Sequence, residues 1–132
     1  MRYRKSLLLI VLGLFCLTSY CSVEQDSLVL IKKLNQATNP QQKIQANIAL
    51  AKFFLARSLS RAQGFVNSAK ALSKSSNTNE GLADVFCVEG EINYLLANYV
   101  LSKSNYTEAL SLCNKETQQL TMGDAYSGLG KT

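Results

Sequence analysis

Two short stretches of the sequence decide the fold: AQGFVNSA at residues 62–69 and SKSNYTEA at residues 102–109. In each, a small residue is followed four positions later by a larger one and three positions after that by alanine, and the two stretches lie forty residues apart. Gly90 recurs after the same interval as Gly130. Spacings of four and three put side chains on one face of a helix. A fixed period of roughly 20–50 residues is typical of stacked helical hairpins.

Helical periodicity continues on both sides of these stretches. Asn39, Pro40 and Gln42 form a start signal, because asparagine caps a helix, proline suits its first position and glutamine can complete a capping box. Sustained strand alternation is absent from the sequence, so the predicted class is all-α. The helices are expected at about residues 22–37, 40–55, 60–72, 80–96 and 100–113, and from about 118 onward.

At these residues the chain resembles the tetratricopeptide repeat (TPR) family, whose unit is about 34 residues long. The resemblance covers residues 42–132 and implies antiparallel hairpins stacked as a right-handed solenoid. It departs from the family pattern at Leu50, which takes the glycine place in the first copy, and at Glu89, which takes a leucine place in the second. The residues expected to pack at the helix crossings are Ala62, Val66, Ala69, Gly90, Ser102, Tyr106, Ala109 and Gly130.

The chain is expected to divide into three parts. Residues 1–21 are predicted to be a secretory signal, residues 22–41 an N-terminal helix and linker, and residues 42–132 the repeats. The repeats themselves are placed at about 42–79, 80–121 and 122–132, the last one incomplete. An incomplete last repeat leaves the apolar face of the preceding hairpin uncovered. We therefore expect that the chain is the N-terminal portion of a longer exported bacterial TPR protein, that its reading frame is truncated, or that two copies associate through that face.

The amino-terminal segment has the order of a signal peptide. Basic residues within positions 2–5 precede the apolar run Leu7–Leu17, and Ser19 and Cys21 are the small residues of a cleavage site. The run is shorter than the roughly 20 residues that span a bilayer. The predicted location is therefore periplasmic or extracellular, with membrane anchoring if the segment is not cleaved. Lipidation of Cys21 is disfavoured because Tyr20 stands where a small residue is needed.

Composition excludes several classes of function. The chain of 132 residues has no histidine, which removes histidine-based metal sites and serine–histidine–aspartate triads. Its net charge of +5 comes largely from the predicted signal, since 11 Lys and Arg face nine acids beyond it. Nucleic-acid binding is not expected from so small a surplus. Cys87 and Cys113 lack metal or redox spacing, and we expect them to be buried and unpaired, with a disulfide as the alternative.

The charges are unevenly distributed along the chain. Residues 27–79 hold eight Lys and Arg and no acid, whereas residues 75–102 hold four acids and no base. A basic first hairpin could meet an anionic partner or lipid headgroups, and an acidic fourth helix could steer a basic peptide. The same pattern also fits solvated faces and contacts between adjacent hairpins. Glu89 and Glu91 point to different helix faces and do not form a catalytic pair.

We therefore expect a non-catalytic scaffold without cofactor or metal that binds a protein or peptide partner. The family resemblance implies a peptide in the concave groove lined by the first helix of each hairpin. Membrane contact is expected only through an uncleaved signal. The alternative is the sensory N-terminal fragment of a longer bacterial membrane signalling protein. The predicted groove residues are Asn47, Phe54, Asp84, Glu91, Tyr94 and Lys131.

Overall fold

The computed structural model describes residues 25–79, 81–113 and 118–132. All regular structure in these ranges is helical, which confirms the all-α prediction. No helix within them is both long and apolar enough to cross a membrane. The predicted signal, residues 1–21, lies outside the described residues. The helices are α1 (25–36), α2 (Pro40–Phe54), α3 (Leu59–Ser75), α4 (Leu82–Leu95), α5 (Tyr99–Leu112) and α6 (Gln119–Lys131).

The helices pack as successive hairpins. The most extensive contacts join α2 to α3 and α4 to α5, and α3 also packs on α4 and α5 on α6. Only a few residues separate consecutive helices, and consecutive helices that pack together across so few residues are antiparallel. It follows that α2, α4 and α6 run in the same direction. Direct contacts of α4 with both α2 and α6 place these three helices on one side of the molecule.

The start of α2 is set by the predicted capping residues. The Asn39 side chain accepts a hydrogen bond from the backbone N–H of Gln42 at 2.8 Å, and Pro40 occupies the first turn. The Gln42 side chain accepts from the N–H of Thr38 at 3.0 Å, one residue earlier than in the usual capping box. The first bond satisfies an amide donor that the first helical turn leaves without an intrahelical partner, and the second ties the residue before the cap to the helix.

The turn between α4 and α5 is closed by backbone hydrogen bonds. Ala97 adopts a left-handed conformation with φ of 60°, and its N–H donates to the carbonyl of Tyr94 at 2.9 Å. The N–H of Asn98 donates to the carbonyl of Asn93 at 2.8 Å. This pair of bonds is the Schellman motif, which satisfies the last carbonyls of a helix. The turn is therefore a defined structure even though the side chains around it are exposed.

The two sequence stretches that share the forty-residue period occupy equivalent interior positions. Val66 is buried beside Leu50 in one hydrophobic cluster, and Tyr106 is buried in the next. A Cβ placed on Gly90 would lie 2.9 Å from the ring of Tyr106, so only glycine leaves room for that ring. The Ser102 hydroxyl donates to the carbonyl of Gly90 at 2.8 Å, which fixes the same crossing of α4 and α5. The predicted packing residues that are buried are Ala62, Val66, Ala69, Gly90, Ser102, Tyr106 and Ala109.

The prediction that Gly130 packs at a helix crossing is wrong. This glycine is exposed, and a Cβ on it would meet no other part of the described residues within 4 Å. Gly128 packs instead, because a Cβ there would overlap the ring of Tyr106. The position forty residues before Gly128 is Val88, which belongs to the buried cluster of the preceding hairpin. Gly128 is thus the equivalent of Val88, on the face of α6 that meets the preceding helix.

Glu89, which departs from the family pattern, has a specific partner in α3. The Nζ of Lys70 donates to a carboxylate oxygen of Glu89, and this ammonium group also lies 4.7 Å from the centre of the Phe86 ring. The pair joins α3 to α4, where the adjacent hairpins meet. This contact supports the interpretation of part of the uneven charge as contacts between hairpins.

Candidate functional site

A cleft opens where α2, α4 and α6 lie beside one another. Its volume is about 320 Å³, and it is open to solvent. The lining combines an apolar floor with charged side chains at the rim, the mixture that is typical of peptide-binding and ligand-binding sites. The lining residues are Lys52, Leu55, Cys87, Val88, Glu91, Tyr106, Asp124, Ser127 and Lys131.

Lys52 lies between two carboxylates at one side of this cleft. Its Nζ is 3.9 Å from Asp84 and 3.8 Å from Asp124. Both distances exceed the range of about 2.7–3.2 Å that is usual for a hydrogen bond. The attraction is therefore that between two separated charges near water. The Thr121 hydroxyl donates to Asp84 at 2.8 Å and holds that carboxylate in place. Asp124 is half exposed and is the carboxylate most accessible to a ligand.

Glu91 forms the other side of the cleft and is more tightly held. It accepts a hydrogen bond from the hydroxyl of Tyr106 at 2.7 Å and pairs with the Nζ of Lys131 at 3.3 Å. Burial, together with this hydrogen bond, raises the pKa of Tyr106, so the phenol stays protonated and remains a donor. Lys131 also lies 5.8 Å from the centre of the Tyr94 ring. These contacts connect the ends of α4 and α6 through one polar network.

Cys87 belongs to the floor of the cleft. Its Sγ lies 3.6 Å from the carbonyl of Thr121, and burial, followed by the negative charge of Asp84, raises the pKa of the thiol to about 12. A thiol with so high a pKa stays protonated at neutral pH and is a poor nucleophile. Cys87 and Cys113 are both unpaired in the structure, and Cys113 is only half buried.

The cleft brings together some of the predicted groove residues but not all. Glu91 and Lys131 line it, and Asp84 contacts its rim through Lys52. Tyr94 is at its edge, where its ring also lies 5.7 Å from that of Tyr99. The side chains at the rim carry three carboxylates and two ammonium groups, from Asp84, Glu91, Asp124, Lys52 and Lys131.

Asn47 and Phe54 do not lie in the groove, and their prediction as groove residues is wrong. Asn47 is buried, and its side chain donates to the carbonyl of Lys43 at 2.8 Å within its own helix. Phe54 is buried in the first cluster, where its ring stacks on Phe65 at 5.7 Å between centres. Both side chains are therefore used in the interior of the first hairpin.

Lys52 and Asp124 are the rim residues that the sequence interpretation missed. Asp124 follows Asp84 by forty residues, so the internal period could have identified it. Lys52 gives no such signal, since the residue forty positions later is the buried Ile92.

Across the described ranges, no three acidic or cysteine side chains are grouped so that they could hold a metal ion.

Comparison with known proteins returned no match: no family model, no curated protein and no solved structure shows significant similarity to this chain.

Proposed function

We propose that this chain is an exported, TPR-like helical repeat scaffold that binds a segment of another protein in the cleft between α2, α4 and α6. The observation that carries the proposal is the cleft itself, in which three parallel helices surround an apolar floor with a rim of exposed charges. A groove of this kind offers apolar contact to the middle of an extended peptide and ion pairs to its polar side chains.

The charge of the rim favours a basic peptide. Three carboxylates face two ammonium groups, and the two contacts of Lys52 are loose enough for a ligand cation to replace them. A lysine or arginine of the partner would therefore pair with Asp124, while its apolar residues contact Leu55 and Val88 on the floor. Complementary charge of this kind selects the partner and speeds its association.

Selection of phage-displayed random peptides on the immobilised full chain tests this function. We expect enrichment of sequences with lysine or arginine next to apolar residues. Asp124→Asn should weaken the binding of a selected peptide by about three- to tenfold, as measured by fluorescence anisotropy. Glu108→Gln is the matched control, because Glu108 is an exposed carboxylate on α5 away from the cleft. Recovery of no basic sequences, or equal losses in both variants, would refute the proposal.

A further inference from the structure

The end of the molecule formed by the α4–α5 turn is covered with exposed apolar side chains. Val100 is 85% exposed, and its neighbours on both arms of the turn are about half exposed. None of these side chains lines the cleft. We refer to the group as the apolar tip; its members are Leu95, Leu96, Tyr99, Val100 and Leu101.

The distribution of these side chains around the turn indicates the kind of partner. Tyr99, Val100 and Leu101 are consecutive in the first turn of α5, so they point in three directions separated by about 100° each. A partner helix or a flat protein surface would cover a stripe with a spacing of three or four. Apolar residues that are exposed on several sides of a turn instead fit a partner that surrounds it, as the acyl region of a lipid surface does.

The charges near the tip are of the sign that an anionic lipid surface attracts. The sequence has no acid between Glu91 and Glu108, and its one charged residue in that interval is Lys103. The α2–α3 turn emerges at the same end of the molecule, because α2 and α4 run in the same direction. Arg57 lies in that turn and Arg61 in the first turn of α3; both are exposed, and they stand forty residues before Ala97 and Leu101. Cations beside an apolar insertion are the usual combination in proteins that bind anionic membrane surfaces.

We propose that this end binds the surface of an anionic phospholipid bilayer, with the apolar tip inserted among the lipids and Arg57 and Arg61 at the phosphates. The ring of Tyr99, a member of the tip, lies 5.7 Å from that of Tyr94, and tyrosine is favoured at the interface between headgroups and acyl chains. This surface adds to the membrane contact that the sequence predicts only for an uncleaved signal, and it does not depend on the cleft.

A local probe tests the insertion independently of the amino-terminal segment, which is the same in every sample. Cys16, Cys21 and Cys113 are replaced by serine in the full chain, and an environment-sensitive dye is attached at Val100→Cys. With vesicles of phosphatidylcholine and phosphatidylglycerol, we expect blue-shifted emission that lipids carrying a nitroxide quench. The matched control is the dye at Leu120→Cys, a similarly exposed leucine at the opposite end of the molecule, where emission should not change.

Variants that remove either the apolar side chains of the tip or the arginines are then compared by vesicle flotation. Val100→Ser with Leu101→Ser should lower partitioning by roughly tenfold or more. Arg57→Gln and Arg61→Gln should each lower it about fivefold, and only on vesicles that contain phosphatidylglycerol. Three results would overturn the proposal: no flotation, flotation with water-like emission at position 100, or a blue shift that needs only concentrated protein and no vesicles, which indicates association of two copies through the tip.

Discussion

The two hairpins fill the same helix crossing in different ways. In the first, the equivalent positions are Leu50 of α2 and Val66 of α3, which are both buried in one hydrophobic cluster. In the second, Gly90 contributes no side chain, and Tyr106 occupies the space alone. A core requires a constant packed volume, but the volume can come from either helix. The second solution also brings a hydroxyl to the surface of the cleft, where it binds Glu91.

The largest difference between the hairpins should come from truncating Tyr106, the larger of the two side chains that fill the equivalent crossings. Tyr106→Ala is expected to lower the free energy of unfolding by about 3–5 kcal/mol, because it leaves a cavity among three helices. Val66→Ala removes fewer atoms from the equivalent place and should cost about 2 kcal/mol. Urea unfolding followed by circular dichroism measures both. Equal losses would show that the two crossings do not differ as described.

A second comparison uses the glycines of α6. Gly128→Ala should destabilise the protein by about 1–3 kcal/mol, because the new Cβ overlaps the ring of Tyr106. Gly123→Ala in the same helix meets open space and should stabilise it by about 0.5–1 kcal/mol. Thermal unfolding of the two variants gives the sign of each effect. A stabilising Gly128→Ala would contradict the close packing of α5 on α6.

The polar part of the second crossing can be separated from its volume. Tyr106→Phe keeps the ring and removes the hydrogen bond to Glu91, which should cost about 1 kcal/mol. Tyr126→Phe is the control, since Tyr126 is exposed and should tolerate the change without loss. The readout is the urea midpoint. If both substitutions are neutral, the hydroxyl of Tyr106 contributes only to the cleft and not to the fold.

The smallest expected difference is a dependence on alkaline pH. Cys87 stands forty residues after Asn47, which does not titrate, so only the second hairpin has an ionisable group at this position. Because the folded-state pKa of Cys87 is raised from 9.0 to about 12, its stabilisation is complete below about pH 9 and is lost as the pH rises toward 12.

Urea midpoints measured from about pH 8 to about pH 10 should therefore fall more steeply for the wild-type chain than for Cys87→Ala. The experiment is done in a reducing buffer so that oxidation of the thiols does not contribute. Parallel slopes for the two proteins would mean that Cys87 is not protected from ionisation.

The sequence was informative wherever one helix face had to be buried. The start of α2 followed from its capping residues, and the interior positions of α3 and α5 followed from their spacing, since burial of an amphipathic face determines it. The sequence was less informative about which side chain each buried residue contacts. Gly130 and Gly128 are two residues apart, and only the packing of α6 on α5 shows that the ring of Tyr106 reaches the second of them.

The groove residues were harder to predict for a related reason. Phe54 is aromatic and was expected at a binding surface, but an aromatic side chain is equally suited to a core, where the structure places it. Asn47 satisfies its amide within its own helix, so a polar side chain could be buried there. The apolar tip shows the opposite case, in which apolar residues at the start of a helix are exposed instead of buried.

One side chain has a consequence for how the molecule opens. Tyr106 belongs to α5, and its ring contacts Gly90 of α4 and Gly128 of α6. A single side chain therefore packs against both neighbouring helices. Detachment of α6 would expose that ring and separate Lys131 from Glu91 in the same event. Local unfolding of the last helix and loss of the cleft are therefore one cooperative transition, and whatever occupies the cleft slows amide exchange along α6.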